Sequence, residues 1–301
     1  MIAQRTRFCL KIGDCLPASP VGVRSARGSA SLAGRLAAAS LMAAASVVLP
    51  SLAHAADPYA TDWAKAGKSE ARLVAGGARL AGFEIALAPG AITYWRDPGD
   101  AGLPPTFVFS GSDNVAGVEP AFPAPKRIRE ADGGEAFGYD GEVVIALRVE
   151  PKDPSKPARL ALDANYAVCE KVCLPAQAHL ALTLPAGSSP YASLVERALA
   201  AAPRAVKPKE FGELAQVLGR DGRGGWLLCA ARSPGAPRDL FVEPPAGWWI
   251  AVAKAPGDDG RDCFTLTLRE KPEDAAFPVP FRLTLTGGQG PIETTVEANL
   301  Q

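Results

Sequence analysis

Two cysteines separated by three residues are the part of this chain best suited to chemistry. Cys169-Glu170-Lys171-Val172-Cys173 sits within YAVCEKVCLPAQAHLAL, and a thiolate is a nucleophile, a disulfide partner and a soft metal ligand. Run as a plain strand, the segment would hold the two Cα atoms about 13 Å apart, far beyond the roughly 4.4–6.8 Å of a disulfide. A bridge therefore requires the chain to fold back, and Pro175 just beyond predicts a tight, irregular loop. Closing so short a ring removes about 2 kcal/mol of chain entropy, against roughly 4 kcal/mol for a bridge joining Cys229 to Cys263. The short ring is a poor staple, which favours a bond that is made and broken. Lys171 favours a thiolate and Glu170 opposes it. Exchange needs no histidine base, because the attacking thiolate of a partner does the chemistry.

Other readings of the pair stay open at this point. It can be purely structural within a secreted binding module. With His179 it can also form C-x3-C-x5-H, a three-ligand site for a copper or zinc carrier. The redox reading requires neither a cofactor nor a resident metal. Cys229 and Cys263 lie in alternating strand patterns, and Cys263 shares a face with Thr265 and Thr267, opposite Phe264, Leu266 and Leu268. A structural disulfide between these two is expected, with a second redox pair as the alternative.

The compartment follows from the N-terminus. Residues 1–35 carry Arg5, Arg7, Lys11, Arg24, Arg27 and Arg35 against the single acid Asp14. Leu36–Leu49 is uncharged, Pro50 closes it, and Ala53-His54-Ala55 supplies an A-x-A end. This predicts a secretory signal peptide over 1–55, because the apolar run is shorter than the ~18–20 residues that span a bilayer. Its long basic part raises a start site further downstream, which N-terminal sequencing of the precursor would test. Cys9 and Cys15 leave with the peptide, so the exported chain keeps four cysteines, an even number in an oxidising compartment, and one histidine. A His-based triad and a two-metal hydrolase are thereby implausible. The full chain balances 32 basic against 32 acidic residues, which leaves no basic field for nucleic acid or an anionic membrane. No other apolar run is long enough to cross a bilayer.

The elements that must position the cysteines are mostly strands. Thirty glycines and 28 prolines argue against a helical bundle and for short strands joined by turns. Strand patterns fall at Phe83–Leu87, Ile92–Trp95, Phe107–Phe109, Val143–Val149, Arg159–Leu162 and His179–Leu184. Tyr191–Ala202 reads as one helix, with Ser189 as cap, Pro190 at its start and Pro203 at its end. Pro203–Lys209 has the composition of a linker. Strand patterns resume at Trp226–Ala230, Leu240–Val242, Trp248–Ala253, Cys263–Leu268, Phe281–Thr286 and Thr294–Val296. The expected organisation is a polar lead-in over 56–69, a β-sandwich over 70–186, a hinge-like helix and linker over 187–209, and a second β-sandwich over 210–301.

Four segments in order carry a resemblance: YWRDPGDAGLPP (Tyr94–Pro105), FPAPKRI (Phe122–Ile128), FGYDGEV (Phe137–Val143) and YAVCEKVCLPAQA (Tyr166–Ala178). Together they resemble the N-terminal domain family of the periplasmic thiol:disulfide interchange protein DsbD, and its ScsB-like branch in particular. The likeness covers about residues 70–186, and DLFVEPPAGWW (Asp239–Trp249) extends it more loosely. It implies an all-β protein of two immunoglobulin-like sandwiches, located in the periplasm. It also implies that Cys169 and Cys173 are redox cysteines relaying electrons between thioredoxin-like periplasmic or membrane-bound partners. Family members cap the pair with an aromatic-bearing loop that falls at Glu130–Tyr139, so Phe137 or Tyr139 is the expected cap. Tyr166 and Trp95 are further candidates for the cap or cleft, although packing is the main reading of the Trp95 strand and turn chemistry of the DPGD segment; Asp97 and Asp100 are cleft candidates. Longer relatives continue into a transmembrane carrier and a thioredoxin-like domain. Here the sequence stops at Gln301, which implies electron donors on separate chains.

Overall fold

A computed structural model describes residues 56–99, 102–130, 134–220, 225–233, 236–257 and 260–299. The expected signal peptide with Cys9 and Cys15, Asp100, and residues 131–133 of the expected capping segment lie outside the described residues.

Alternating apolar residues give the first half its strands: β1 (Ala64–Ala66), β2 (Ser69–Gly77), β3 (Leu80–Leu87), β4 (Ile92–Gly99), β5 (Thr106–Val108), β6 (Val115–Ala121), β7 (Lys126–Arg129), β8 (Glu135–Asp140), β9 (Glu142–Pro151), β10 (Arg159–Cys169) and β11 (Cys173–Thr183). They form two sheets, β1-β2-β3-β9-β6 and β11-β10-β4-β8-β7, with β5 paired to β10. Leu73, Phe83, Ile145 and Leu147 from one sheet meet Trp95, Leu160, Leu162 and Leu180 from the other. The period of two along β10 sends Leu160, Leu162, Ala164, Tyr166 and Val168 into this core, and Ala167 and Cys169 to the outer face.

Strand β11 starts at Cys173, well before the expected His179, so β10 and β11 form one long hairpin. The lead-in is not loose either: β1 and β2 begin within it. Helix α1 (Ala192–Ala200) differs from the expected hinge. Its buried Val195 and Ala198 pack with Val74, Val144 and Ala146 on the outer face of the first sheet. The expected linker is also structured, because β12 (Arg204–Ala205) pairs in parallel with a later strand and Pro208 opens α2 (Pro208–Leu214).

The second half continues with β13 (Ala215–Arg220), β14 (Trp226–Ala231), β15 (Asp239–Glu243), β16 (Trp249–Ala255), β17 (Arg261–Glu270), β18 (Val279–Thr286) and β19 (Ile292–Ala298). Two four-stranded sheets, β12-β19-β18-β15 and β13-β14-β17-β16, enclose Leu228, Leu240, Phe264, Phe281 and Leu285. The fold is all-β with immunoglobulin-like sandwiches and two short helices.

One aromatic crosses between the two cores. Phe241 of β15 is buried edge-on against Trp95 (5.8 Å) and Phe137 (4.9 Å) of the first sandwich. Two arginines frame it. Arg96 meets Glu243 at 2.8 Å and Glu293 at 2.5 Å, and Arg127 reaches Glu135, Asp239 and the carbonyls of Leu240 and Val252. Multiple partners offset the cost of burying guanidinium groups this far from water.

Candidate functional site

Strands β10 and β11 run in register down to their last pair, where Cys169 stands directly opposite Cys173. Their Cα atoms are 4.0 Å apart, and the sulfurs are bridged at 2.07 Å. The fold-back is thus a three-residue tip on a regular hairpin, and Pro175 lies inside β11 opposite Ala167. The two cysteines are unequal: Cys169 is buried and Cys173 is exposed. Around the tip, Val172 (69% exposed) and Leu174 (53%) present apolar side chains to water. They border a cleft of about 230 Å3 whose wall includes Ala66, Gly67 and Pro175. Lys68, from the turn between β1 and β2, pairs with Glu170. That hydrogen bond and charge hold the Glu170 carboxyl below the usual carboxylate range.

The aromatic at the sulfurs is Tyr94. Its hydroxyl lies 2.9 Å from Cys169 Sγ and 3.3 Å from Cys173 Sγ, and it donates to Glu130 Oε1 at 2.9 Å. Strand β4 delivers it, since neighbouring side chains of a strand point to opposite faces and Tyr94 shares the outer face with Ala136, Ala167 and Cys169. Two glycines make room. At Gly138 a Cβ would lie 2.1 Å from the Thr93 carbonyl oxygen, and at Gly102 (φ +101°) it would lie 2.3 Å from the Tyr94 ring. Glu130 follows β7, where its N–H donates to the Gly134 carbonyl at 2.9 Å.

The expected cap and cleft residues lie elsewhere. Phe137, Tyr139, Tyr166 and Trp95 belong to the core between the sheets, on the face away from Cys169. Tyr139 donates to the Pro123 carbonyl at 2.7 Å, and burial pushes its phenol well above the ordinary value, slightly opposed by Arg96. The Tyr166 hydroxyl is 3.0 Å from Ser69 Oγ, and Phe137 is taken up by Phe241. The strand period explains the shift, because Tyr94, Ala136 and Gly138 take the outer face and their neighbours turn inward. Asp97 accepts from the Gly99 N–H at 2.9 Å, closing the turn around Pro98.

His179 is not brought to the sulfurs. It sits six residues along β11, about 20 Å at strand rise, and its Nδ1 is 2.7 Å from Asp163 Oδ1 on the exposed face. The expected C-x3-C-x5-H ligand set therefore does not assemble. The group that does assemble is Glu130, Cys169 and Cys173, whose potential ligand atoms lie within 4.8 Å of one another. Tyr94 stands in the first segment of the resemblance, and Glu130 opens the expected capping segment. Nothing in the sequence pattern marked either as a neighbour of the cysteines.

Cys229 and Cys263 are also directly opposed, on the central strands β14 and β17, with S–S 2.03 Å and Cα–Cα 4.1 Å. Both are buried.

The disulfide is thus held at an accessible hairpin tip on an immunoglobulin-like sandwich. Residues 63–185 match the family described as thiol:disulfide interchange protein DsbD, N-terminal, and this part of the chain is a DsbD N-terminal-like domain. Among solved structures, the N-terminal periplasmic domain of ScsB from Proteus mirabilis shares the fold, with a TM-score of 0.62 at 20% identity over 81% of this chain and 99% of that one. No curated protein sequence matches the chain.

Proposed function

We propose that the chain is a periplasmic thiol-disulfide exchange protein in which Cys169 and Cys173 cycle between disulfide and dithiol, relaying electrons between thioredoxin-like partners on other chains. The observation that carries this reading is the asymmetry of the bridge: an exposed Cys173, a buried Cys169, and a tyrosine hydroxyl at both sulfurs. A partner thiolate reaches Cys173 Sγ first. Attack there forms a partner–Cys173 mixed disulfide and expels Cys169 as a thiolate, 2.9 Å from the Tyr94 hydroxyl. The partner's second thiolate then attacks the partner sulfur of the mixed disulfide, closing the partner's own disulfide and releasing Cys173. Two electrons have entered the pair, and the protons given up by the partner's thiols end on Cys169 and Cys173. The reverse sequence passes them on.

Periplasmic placement rests on the family match, the ScsB neighbour and the even set of bridged cysteines. Among the described residues no helix is long and apolar enough to cross a membrane. The test is trapping. With an oxidised thioredoxin-like partner, reduced Cys169→Ser protein accumulates a mixed disulfide through Cys173, because the thiol that would release the partner by re-forming the bridge is gone, whereas Cys173→Ser protein does not. Equal trapping by both variants sinks the assignment of Cys173 as the attacked sulfur. A reduction potential below about −300 mV would instead mark the bond as a structural disulfide of a binding module.

A further inference from the structure

Reduction turns the bridge into two thiols beside a carboxylate. Glu130, Cys169 and Cys173 offer an oxygen and two sulfurs within 4.8 Å of one another. The edge of a tetrahedral site with Zn–S near 2.3 Å and Zn–O near 2.0–2.2 Å is roughly 3.5–3.8 Å. Breaking the 2.07 Å S–S bond lets the two sulfurs part to van der Waals separation, which matches that edge, with the Glu130 oxygen within 4.8 Å of both. The three donors come from different segments: the end of β10, the start of β11 and the residue that follows β7.

We propose that the reduced pair, together with Glu130, chelates a borderline divalent cation of the zinc type, and that the bound ion blocks electron transfer out of the pair. This regulates the exchange site, so its value to the cell rests on the function proposed above, although binding itself requires only that the disulfide be reducible. Two thiolates and one carboxylate supply three donors, and the Tyr94 hydroxyl, 2.9 Å from Cys169 Sγ and Glu130 Oε1 and 3.3 Å from Cys173 Sγ, stands at the fourth position; the set suits zinc over calcium or magnesium, which prefer all-oxygen sites. Binding exchanges two thiol protons for one M2+. Oxidation by a partner disulfide then consumes two protons, closes the Cys169–Cys173 bond, leaves two partner thiols and must release the M2+. The oxidised pair offers no thiolate, so the ion cannot hold it.

The experiment uses Co2+ as a spectroscopic stand-in for zinc on the phosphine-reduced, desalted protein under anaerobic conditions. One Co2+ per chain is expected, with thiolate-to-metal charge-transfer absorption, and excess Zn2+ abolishes the signal. Cys169→Ser and Cys173→Ser each remove it. Glu130→Gln weakens binding roughly tenfold or more, Glu130→Asp less so, and His179→Ala leaves it unchanged. Absence of the signal in wild type, or a Glu130→Gln affinity equal to wild type, overturns the proposal; the latter would mean a purely sulfur-bound ion. Thermal melting of each reduced variant checks that it is folded. Exchange with a thioredoxin-like partner is measured separately on metal-free protein. Failure there with Co2+ binding intact rejects the exchange function but keeps the metal site. Intact exchange that saturating Zn2+ does not slow rejects the gate.

Discussion

Tyr94 has one hydroxyl proton and, among the described residues, three acceptors within reach: Glu130 and the two sulfurs. In the bridged state the carboxylate is the strongest of them. Once Cys169 leaves as a thiolate, a second anionic acceptor stands 2.9 Å away, and the phenol can turn to it without moving the ring. A hydrogen bond to a charged group contributes about 1.5–3 kcal/mol, while an unaided buried thiolate is disfavoured. Tyr94→Phe is therefore expected to slow iodoacetamide alkylation of the reduced pair at neutral pH by roughly tenfold or more. The deficit should close at high pH, where the thiols ionise without help. A constant deficit at all pH values would mean that the ring acts only by shielding the sulfurs, and no deficit at all would remove the hydroxyl from the mechanism.

At the scale of elements, the two disulfides test what a bridge is for. Both join residues directly opposed across antiparallel strands. One closes a tip with a sequence separation of 4 and the other a segment with a separation of 34. Loop-closure entropy gives about 2 kcal/mol for the first and about 4 kcal/mol for the second. Cys229→Ala/Cys263→Ala protein should therefore melt well below Cys169→Ala/Cys173→Ala protein. The reverse order by calorimetry would contradict the assignment of the tip bridge to chemistry rather than stability.

The same contrast shows what could be read from the sequence. The need to fold back at Cys169–Cys173 follows from strand length alone; alternating apolar residues mark β3, β17 and β18, and continuous apolar runs mark β9 and β14. Strands β6 and β8 escaped notice because Gly117, Pro120 and Gly138 interrupt the pattern, and at Gly138 the cause is tertiary, a backbone approach that only glycine permits. The cap expectation at Phe137 and Tyr139 comes from the family resemblance, which fixes their segment but not their face; because β8 is a strand, both turn inward. Glu130 reaches the sulfurs through pairing of β7, β8, β4 and β10, a relation between distant segments that local spacing does not encode. The proline-rich composition of Pro203–Lys209 suits a linker, but it equally suits the edge pairing of β12 and the start of α2.

Across the whole molecule, the strand that carries Tyr94 also carries the main contacts to the second sandwich. Trp95 packs on Phe241, and Arg96 binds Glu243 and Glu293. Phe241→Ala empties a fully buried site shared by both cores and is expected to cost about 3–5 kcal/mol. If the halves are coupled through this contact, thermal unfolding should broaden or split into two transitions; a single sharp transition at unchanged temperature would show that Phe241 does not join them. The region matched by family similarity ends at residue 185, yet the burial that surrounds Trp95 and Phe137 ends at Phe241. A fragment trimmed to the family limits would keep both cysteines and their tyrosine but present a raw aromatic seam to water. Such a piece would invite self-association at Trp95 and Phe137, on β4, which pairs with β10, and on β8 beyond it. The boundary drawn by the family match and the boundary drawn by burial differ here by one aromatic of the second half.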